Sequence, residues 1–223
     1  MHALHAASLR LLNDGVCPPD MNMARDLALL EAFERGAAPP TLRVYQWASP
    51  AITYGIHQHL PPRLVKACQQ HNIPMLRRPT GGKAVLHGHD LTIALVWRPA
   101  ETRLYPRQVY LQLAPALIAA FQSLGVPAAQ GDAAASDPRS VSDGGDCFAT
   151  PAIADIVHAE TGVKLMGCAL LVRGVSVLMQ ASIPLRVPSL PVETLFGHAH
   201  PAPPPLDADA LTNALYQTLR DHL

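Results

Sequence analysis

Arg77-Arg78-Pro79-Thr80-Gly81-Gly82-Lys83-Ala84-Val85-Leu86-His87 is the densest run of chemistry in the chain. A Gly-Gly pair lets the backbone approach a ligand closely and adopt positive φ, where a Cβ would clash. Two arginines and Thr80 precede or flank the pair and His87 follows it, so the turn is framed by groups that bind and orient. Arg77 and Arg78 suit either a phosphate or surface carboxylates. Lys83 reads as solvated, and His87 as either a pocket wall or a structural histidine. Met75 to Arg78 reads as a strand entering the turn, and Leu91 to Trp97 is apolar enough for a buried strand after it.

Two further strings stand out. Cys147 lies in Gly144-Gly145-Asp146-Cys147-Phe148, and Lys164, seventeen positions later, lies in Gly162-Val163-Lys164-Leu165-Met166-Gly167. A thiol after a Gly-rich turn can serve as a nucleophile, and a nearby lysine can steady the charge that such chemistry creates. Cys168 neighbours the lysine string, but its run Ala169-Leu170-Leu171-Val172 favours a core thiol; Cys17 and Cys68 read as structural. Asp155 and His158 invite a Cys-His-Asp triad. A period of two along a strand would keep them off one face, which argues against it.

Outward from these strings, apolar periodicity predicts helices over 22–35, from Pro62 to His71, over 107–124 and after Asp207. Asp20 or Asn22 is placed to cap the first of these and Gly36 to end it. Pro115 predicts a kink or a later start in the third. Strands are expected at Leu42 to Trp47, Ala51 to Tyr54, Asp155 to His158, Lys164 to Val172 and Val175 to Ile183. Residues 130–146 read as a mobile loop, and the Pro-rich stretch 184–205 as irregular. The expected fold class is α+β, with mixed or antiparallel β-sheets flanked by helices, in one domain over 1–223.

Bulk properties exclude several functions. The 223 residues carry no formal net charge and only 15% are charged, unlike a general nucleic-acid binder. No apolar run reaches the roughly 18 residues that span a bilayer. The segment from Met1 to Leu12 does not read as a signal peptide. Four cysteines without Cys-x-x-Cys spacing fit a reducing cytoplasm. The eleven histidines are scattered along the chain, so no metal site is expected.

The Arg-Arg-x-Thr-Gly-Gly block with Asp90-Leu91-Thr92 resembles the signature of the biotin/lipoate protein ligase superfamily. The likeness is nearest to its cysteine-dependent octanoyltransferases. Asn22-Met23-Ala24 resembles that family's first helix, Thr41 to Trp47 its first strand, and Cys147-Phe148 its nucleophile segment. The resemblance implies that fold, with Cys147 as acyl carrier, Lys164 near the acyl carbonyl, and Arg77, Arg78, Thr80, Gly81, Gly82 and His87 at the substrate. It implies transfer of octanoate from acyl carrier protein to a lysine of a lipoyl domain, such as that of glycine-cleavage H protein, with no cofactor. ATP and Mg would enter only if the chain were a lipoate ligase, and a carrier-binding module without chemistry is a third reading. The chain departs from the family at Gly167-Cys168-Ala169-Leu170 and Gln180-Ala181-Ser182, where Gly-Ser-Ala-Gln and Gln-His-Gly-Ser are expected. The stretch after the last strand is short for the family, which leans toward transfer over ligation.

Overall fold

The computed structural model describes residues 8–100, 105–132, 145–190 and 192–223. Along them run β1 (Arg10–Cys17), α1 (Pro19–Glu34), β2 (Thr41–Trp47), β3 (Ala51–Tyr54), α2 (Pro62–Gln70), β4 (Met75–Arg77), β5 (Val85–His87) and β6 (Asp90–Trp97). Then come α3 (Pro106–Ser123), β7 (Ala128–Gln130), β8 (Ile156–His158), β9 (Lys164–Arg173), β10 (Ser176–Pro184), α4 (Val192–Phe196) and α5 (Ala208–His222). A seven-stranded sheet has the order β1-β2-β6-β10-β9-β8-β7, and a three-stranded sheet has the order β4-β3-β5. Both are mixed: β1 and β2 are parallel, as are β3 and β4, while the remaining pairs are antiparallel. This is the α+β class that the sequence predicts.

The large sheet is covered on both faces. Leu42, Val44, Ile93, Leu95, Val177 and Met179 pack against Leu113, Leu117 and Phe121 of α3 and Leu211, Leu215 and Leu219 of α5. On the opposite face Leu29 and Leu30 of α1 meet Tyr45, Ala94, Val96 and Leu178. Every residue of β6 is therefore buried and its sequence does not alternate. Each fully buried Leu contributes about 2 kcal/mol by area alone. Ile52, Leu64, Leu86, Leu195 and Phe196 join α2 and α4 to the small sheet in a second cluster.

Several expectations are corrected. α1 starts at Pro19, with Pro18 as N-cap and no side-chain cap. Pro at the first helical position forfeits only an N–H that would be unbonded anyway. Asn22 is instead buried and accepts from Arg43 Nη2 at 2.9 Å. α3 runs through Pro115. That proline lies on the exposed side, where water can satisfy the carbonyl it leaves open. Thr41 to Trp47 is the second strand, because β1 precedes it. β1, a strand that the sequence reading does not include, carries a bulge at Asn13-Asp14-Gly15, with the register shifting between Asn13 and Gly15 and Gly15 at φ +62°. The irregular stretch 184–205 contains α4. Of the loop read over 130–146, residues 133–144 lie outside the described residues, as do residues 1–7 of the N-terminal segment.

A buried polar chain ties α1 to the sheet. Arg43, fully enclosed, donates to Asp26 Oδ1 at 2.6 Å and to Asp14 Oδ2 at 2.7 Å. Asp26 Oδ2 also accepts from the Tyr45 hydroxyl at 2.8 Å and from Gln180 Nε2 at 2.6 Å. Gln180 Oε1 then accepts from Thr80 Oγ1 at 2.8 Å. Each buried polar atom thus has a partner, which removes the cost of taking it from water.

Candidate active site

Strand register lays the floor of a slot on the α1 side of the large sheet. One row across β2, β6, β10 and β9 reads Tyr45, Thr92, Ser182, Gly167; the next reads Arg43, Ala94, Gln180, Ala169. Met23 of α1 closes one side, and Thr53, Arg78, Val85 and His87 of the small sheet and its turn close another. The slot is narrow and open at one side, about 360 Å³ when the open solvent at its mouth is counted, and Cys147 stands in its wall.

The Gly-Gly turn is braced from within. Arg78 is buried, and its guanidinium donates to Gly81 O at 2.6 and 3.1 Å, to Lys83 O at 2.8 Å and to Thr53 Oγ1 at 3.3 Å. Burial pulls its pKa down. Its donors serve the loop rather than a carrier phosphate or a surface acid. Gly82 has φ +88°, and a Cβ there would stand 2.8 Å from Arg78 Nη2. Gly55 is a partner that the sequence does not announce: a Cβ on it would lie 2.2 Å from Gly82 O.

His87 stacks on Trp47 with ring centroids 4.0 Å apart. Its Nδ1 lies 2.7 Å from Asp90 Oδ2 and its Nε2 lies 2.8 Å from Thr53 Oγ1. Asp90 Oδ2 also accepts from Ser182 Oγ at 2.6 Å and Thr92 Oγ1 at 2.9 Å. Burial alone would raise the pKa of Asp90, but His87 and these hydroxyls outweigh it and hold the carboxyl well below its usual range. An ionised Asp90 fixes the ring proton on Nδ1.

The two other strings meet here. Cys147 N–H donates to Ala84 O at 2.8 Å, and Ala84 N–H donates to Gly145 O at 2.9 Å. The Cys147 turn is thereby stitched to the residue two places beyond Gly82. Lys164 Nζ lies 3.4 Å from Cys147 Sγ and donates to Cys147 O at 2.6 Å. A bulge at the start of β9 re-aims this end of the strand: Ile156 faces Met166 while Val157 faces Lys164. Gly167 leaves room for the lysine, since a Cβ there would sit 3.0 Å from Lys164 Cε.

Asp155 completes the group. Its Oδ2 pairs with Lys164 Nζ at 2.7 Å, and both side chains are buried. Burial works against the charge on Lys164; Cys147 and Asp155 overcome it and hold the pKa up at about 12. His158 stays away, its Nδ1 accepting from Glu160 N–H at 3.3 Å. No triad forms, as expected, yet Asp155 belongs to the site through the lysine.

The remaining expected residues divide. Thr80 sits behind the slot on Gln180, and Gly81 shapes the turn. Arg77 is exposed, outside the slot lining, with its guanidinium 5.6 Å from the Tyr54 ring centroid. Cys168 packs against the main core, as its apolar run predicts, and also lines the slot; burial and then Asp155 push its thiol pKa far up. The altered segments keep their contacts: Gln180 links Asp26 to Thr80, and Ser182 binds Asp90.

The profile of the lipoyl protein ligase A/B catalytic domain matches residues 18–197. The chain belongs to this family. Two curated relatives are octanoyltransferases LipM. That of Moorella thermoacetica is 36% identical over 185 residues, covering 81% of this chain and 66% of the relative. That of Oceanobacillus iheyensis is 34% identical over 179 residues, covering 79% and 62%. The chain therefore spans just under two thirds of the length of these relatives. Among solved structures, lipoate-protein ligase A bound with ATP superposes with a TM-score of 0.71 at 21% identity, covering 96% of this chain and 85% of that one. A bipartite lipoate protein ligase of Thermoplasma acidophilum gives 0.70 at 19%, covering 97% and 84%. At these identities the superpositions establish the lipoyl protein ligase fold.

Among the described residues, no helix is long and apolar enough to cross a membrane.

Proposed function

We propose that this chain is an octanoyltransferase that moves an octanoyl group from acyl carrier protein to a lipoyl-domain lysine through a thioester on Cys147. The observation that carries the proposal is the Lys164 ammonium 3.4 Å from the Cys147 sulfur at an apolar slot. A cation at that distance stabilises the negative charge that develops during acyl transfer. Cys147 Sγ attacks the donor thioester carbonyl; the new C–S bond forms as the donor C–S bond breaks, and the carrier thiolate leaves and takes up a proton. The acceptor amine then attacks the enzyme thioester; an amide C–N bond forms, the amine proton is lost, and Cys147 is released. Lys164, held charged, is an electrostatic stabiliser of thiolate and oxyanion rather than a base. The slot holds the chain, and Arg78 and His87 shape its wall.

Donor and acceptor are both thiol or amine partners of an already activated acyl group, so the exchange needs neither ATP nor Mg. The LipM relatives support the reaction class. The test mixes the protein with octanoyl carrier protein, omits ATP, and reads intact mass before and after adding a lipoyl domain such as glycine-cleavage H protein. An octanoyl adduct on Cys147 that passes to the acceptor is expected. Transfer at the parental rate by Cys147→Ala, or an absolute need for ATP with AMP release, would overturn the proposal.

A further inference from the structure

The residue before the nucleophile belongs to a cluster that the transfer chemistry does not use. Asp146 is fully buried at its side chain, and its Oδ2 faces two imidazoles. His198 Nε2 lies 2.8 Å from that oxygen, and His200 Nε2 contacts the same atom. The three ligand atoms fall within 4.8 Å of one another, and the Cys147 sulfur is not among them. Two of the eleven histidines thus meet the residue next to Cys147 across some fifty positions of sequence.

We propose that Asp146, His198 and His200 form a zinc site that clips the segment after α4 to the nucleophile turn. The donor set is the first argument. Two imidazoles and one carboxylate, with a fourth position left for water, suit Zn²⁺ and not the hard cations Mg²⁺ or Ca²⁺, which favour oxygen-rich shells. Asp146 Oδ1 accepts from Phe148 N–H at 2.9 Å, so the turn fixes the carboxylate and leaves Oδ2 as a single donor.

The second argument is charge. A fully buried carboxylate is costly unless it is paired or bound to metal. Among the described residues, Asp146 meets two histidines and one backbone N–H. A divalent ion on Oδ2 compensates the buried carboxylate directly. The third argument is preorganisation. His198 and His200 are two residues apart, just after Gly197 at φ +87°, and both rings reach the same carboxylate oxygen. Pro201, Pro203, Pro204 and Pro205 stiffen the chain between His200 and α5. The rings are further packed, His198 near Phe196 at 6.3 Å between centroids and His200 near Phe148 at 5.9 Å.

Tetrahedral zinc with bonds near 2.0–2.1 Å needs ligand atoms about 3.3 Å apart. The observed contacts are shorter, so loading spreads the side chains by several tenths of an ångström. Each neutral ring then carries its proton on Nδ1 and gives its Nε2 lone pair to the metal.

The test uses the full chain without an affinity tag, stripped with chelator and titrated with zinc chloride against a chromophoric zinc chelator. One equivalent is expected, with a dissociation constant on the order of 1 μM or tighter. The melting temperature is expected to rise by about 5–10 °C at zinc a hundredfold above that constant. The double variant His198→Asn/His200→Asn should lose the equivalent, and Cys147→Ser should keep it. Cobalt(II) loaded into the parental protein gives a readout that needs no variant: a tetrahedral visible band without a thiolate charge-transfer band is expected. Equal zinc binding by parent and double variant, loss of zinc in Cys147→Ser, or a thiolate band with cobalt would each overturn the site. None of these readouts depends on octanoyl transfer, so the site and the transfer reaction fail separately.

Discussion

The carboxylate of Asp155 grips the ammonium of Lys164 at 2.7 Å, in the interior and one short reach from the Cys147 sulfur. Asp155 is itself oriented by the N–H of Ala152 at 2.7 Å and of Cys168 at 3.4 Å. Without such a partner a buried lysine sheds its proton, because burial disfavours the charged form. Asp155 is therefore a positioning residue: it keeps the lysine beside Cys147 charged.

Asp155→Asn should lower acyl-enzyme formation by ~10- to 100-fold at neutral pH, with a cost near 1–3 kcal/mol for weakening a buried charged hydrogen bond. Its pH profile decides the role. In the parent, Lys164 holds its proton up to about pH 12, above its unfolded value of 10.5. The stability from its charge is thus complete below pH 10.5 and lost as pH rises through about 12. In the variant the lysine pKa falls, so the alkaline limb of single-turnover acylation should move to lower pH. An unmoved limb with a uniformly reduced rate would mean that Asp155 is only structural.

Thiol chemistry should separate the cysteines. Burial raises the Cys68 thiol to about 11 and Cys168 further still. The thiolate is the reactive form, so both should be inert at neutral pH. Cys147 is half-buried with Lys164 beside it. Limited iodoacetamide at pH 7 followed by peptide mapping should label Cys147 ahead of Cys68 and Cys168 by at least about tenfold. Lys164→Met should slow the labelling. Faster labelling of Cys168 would point to the wrong nucleophile.

The sequence shows most of the frame because its signals are local. The apolar run Leu91 to Trp97, the α3 stripe and the β9–β10 hairpin at Arg173-Gly174 each report their own element. The site is legible where three strings carry it: Cys147, Lys164, and the run from Arg78 to His87. Asp155 escapes because its role depends on the β8–β9 register and a bulge, which no spacing reveals. Gln180 escapes for a related reason. It reads as the remnant of an altered motif, but it links Asp26 to Thr80 across 154 and 100 positions. Arg78 is placed at the site by the sequence, but as a partner for phosphate or surface carboxylates, since sequence cannot tell which guanidinium turns inward. The bulge in β1 is hidden by a turn-like Asn-Asp-Gly.

The two arginines should behave differently. Arg78→Lys keeps a charge but loses the planar fork that satisfies Gly81 O, Lys83 O and Thr53 Oγ1 together. Buried carbonyls left unpaired cost roughly 1–3 kcal/mol, so the melting temperature should fall and acylation with it. Arg77→Ala, at an exposed position, should shift stability by less than about 0.5 kcal/mol. Denaturant titration of both variants checks this; equal losses would show that Arg78 does not brace the turn.

Acid should weaken the slot through Asp90. Its folded-state pKa lies below the ordinary 3.8 because His87, Ser182 and Thr92 favour the carboxylate. A depressed carboxyl pKa contributes stability above its unfolded value and loses it as pH falls below about 4. Asp90→Asn removes the charge facing His87 Nδ1, and breaking a buried pair costs about 3 kcal/mol. The variant should melt ~6–12 °C below the parent at pH 7, given about 2–4 °C per kcal/mol for a chain of this size. The difference should shrink as pH drops below 4, because the unfolded parent then takes up a proton at this carboxyl while the folded form still resists it. Calorimetry across that range measures both arms. A gap as wide at pH 3 as at pH 7 would mean that Asp90 supports the fold by shape and hydrogen bonding alone, with its charge contributing nothing.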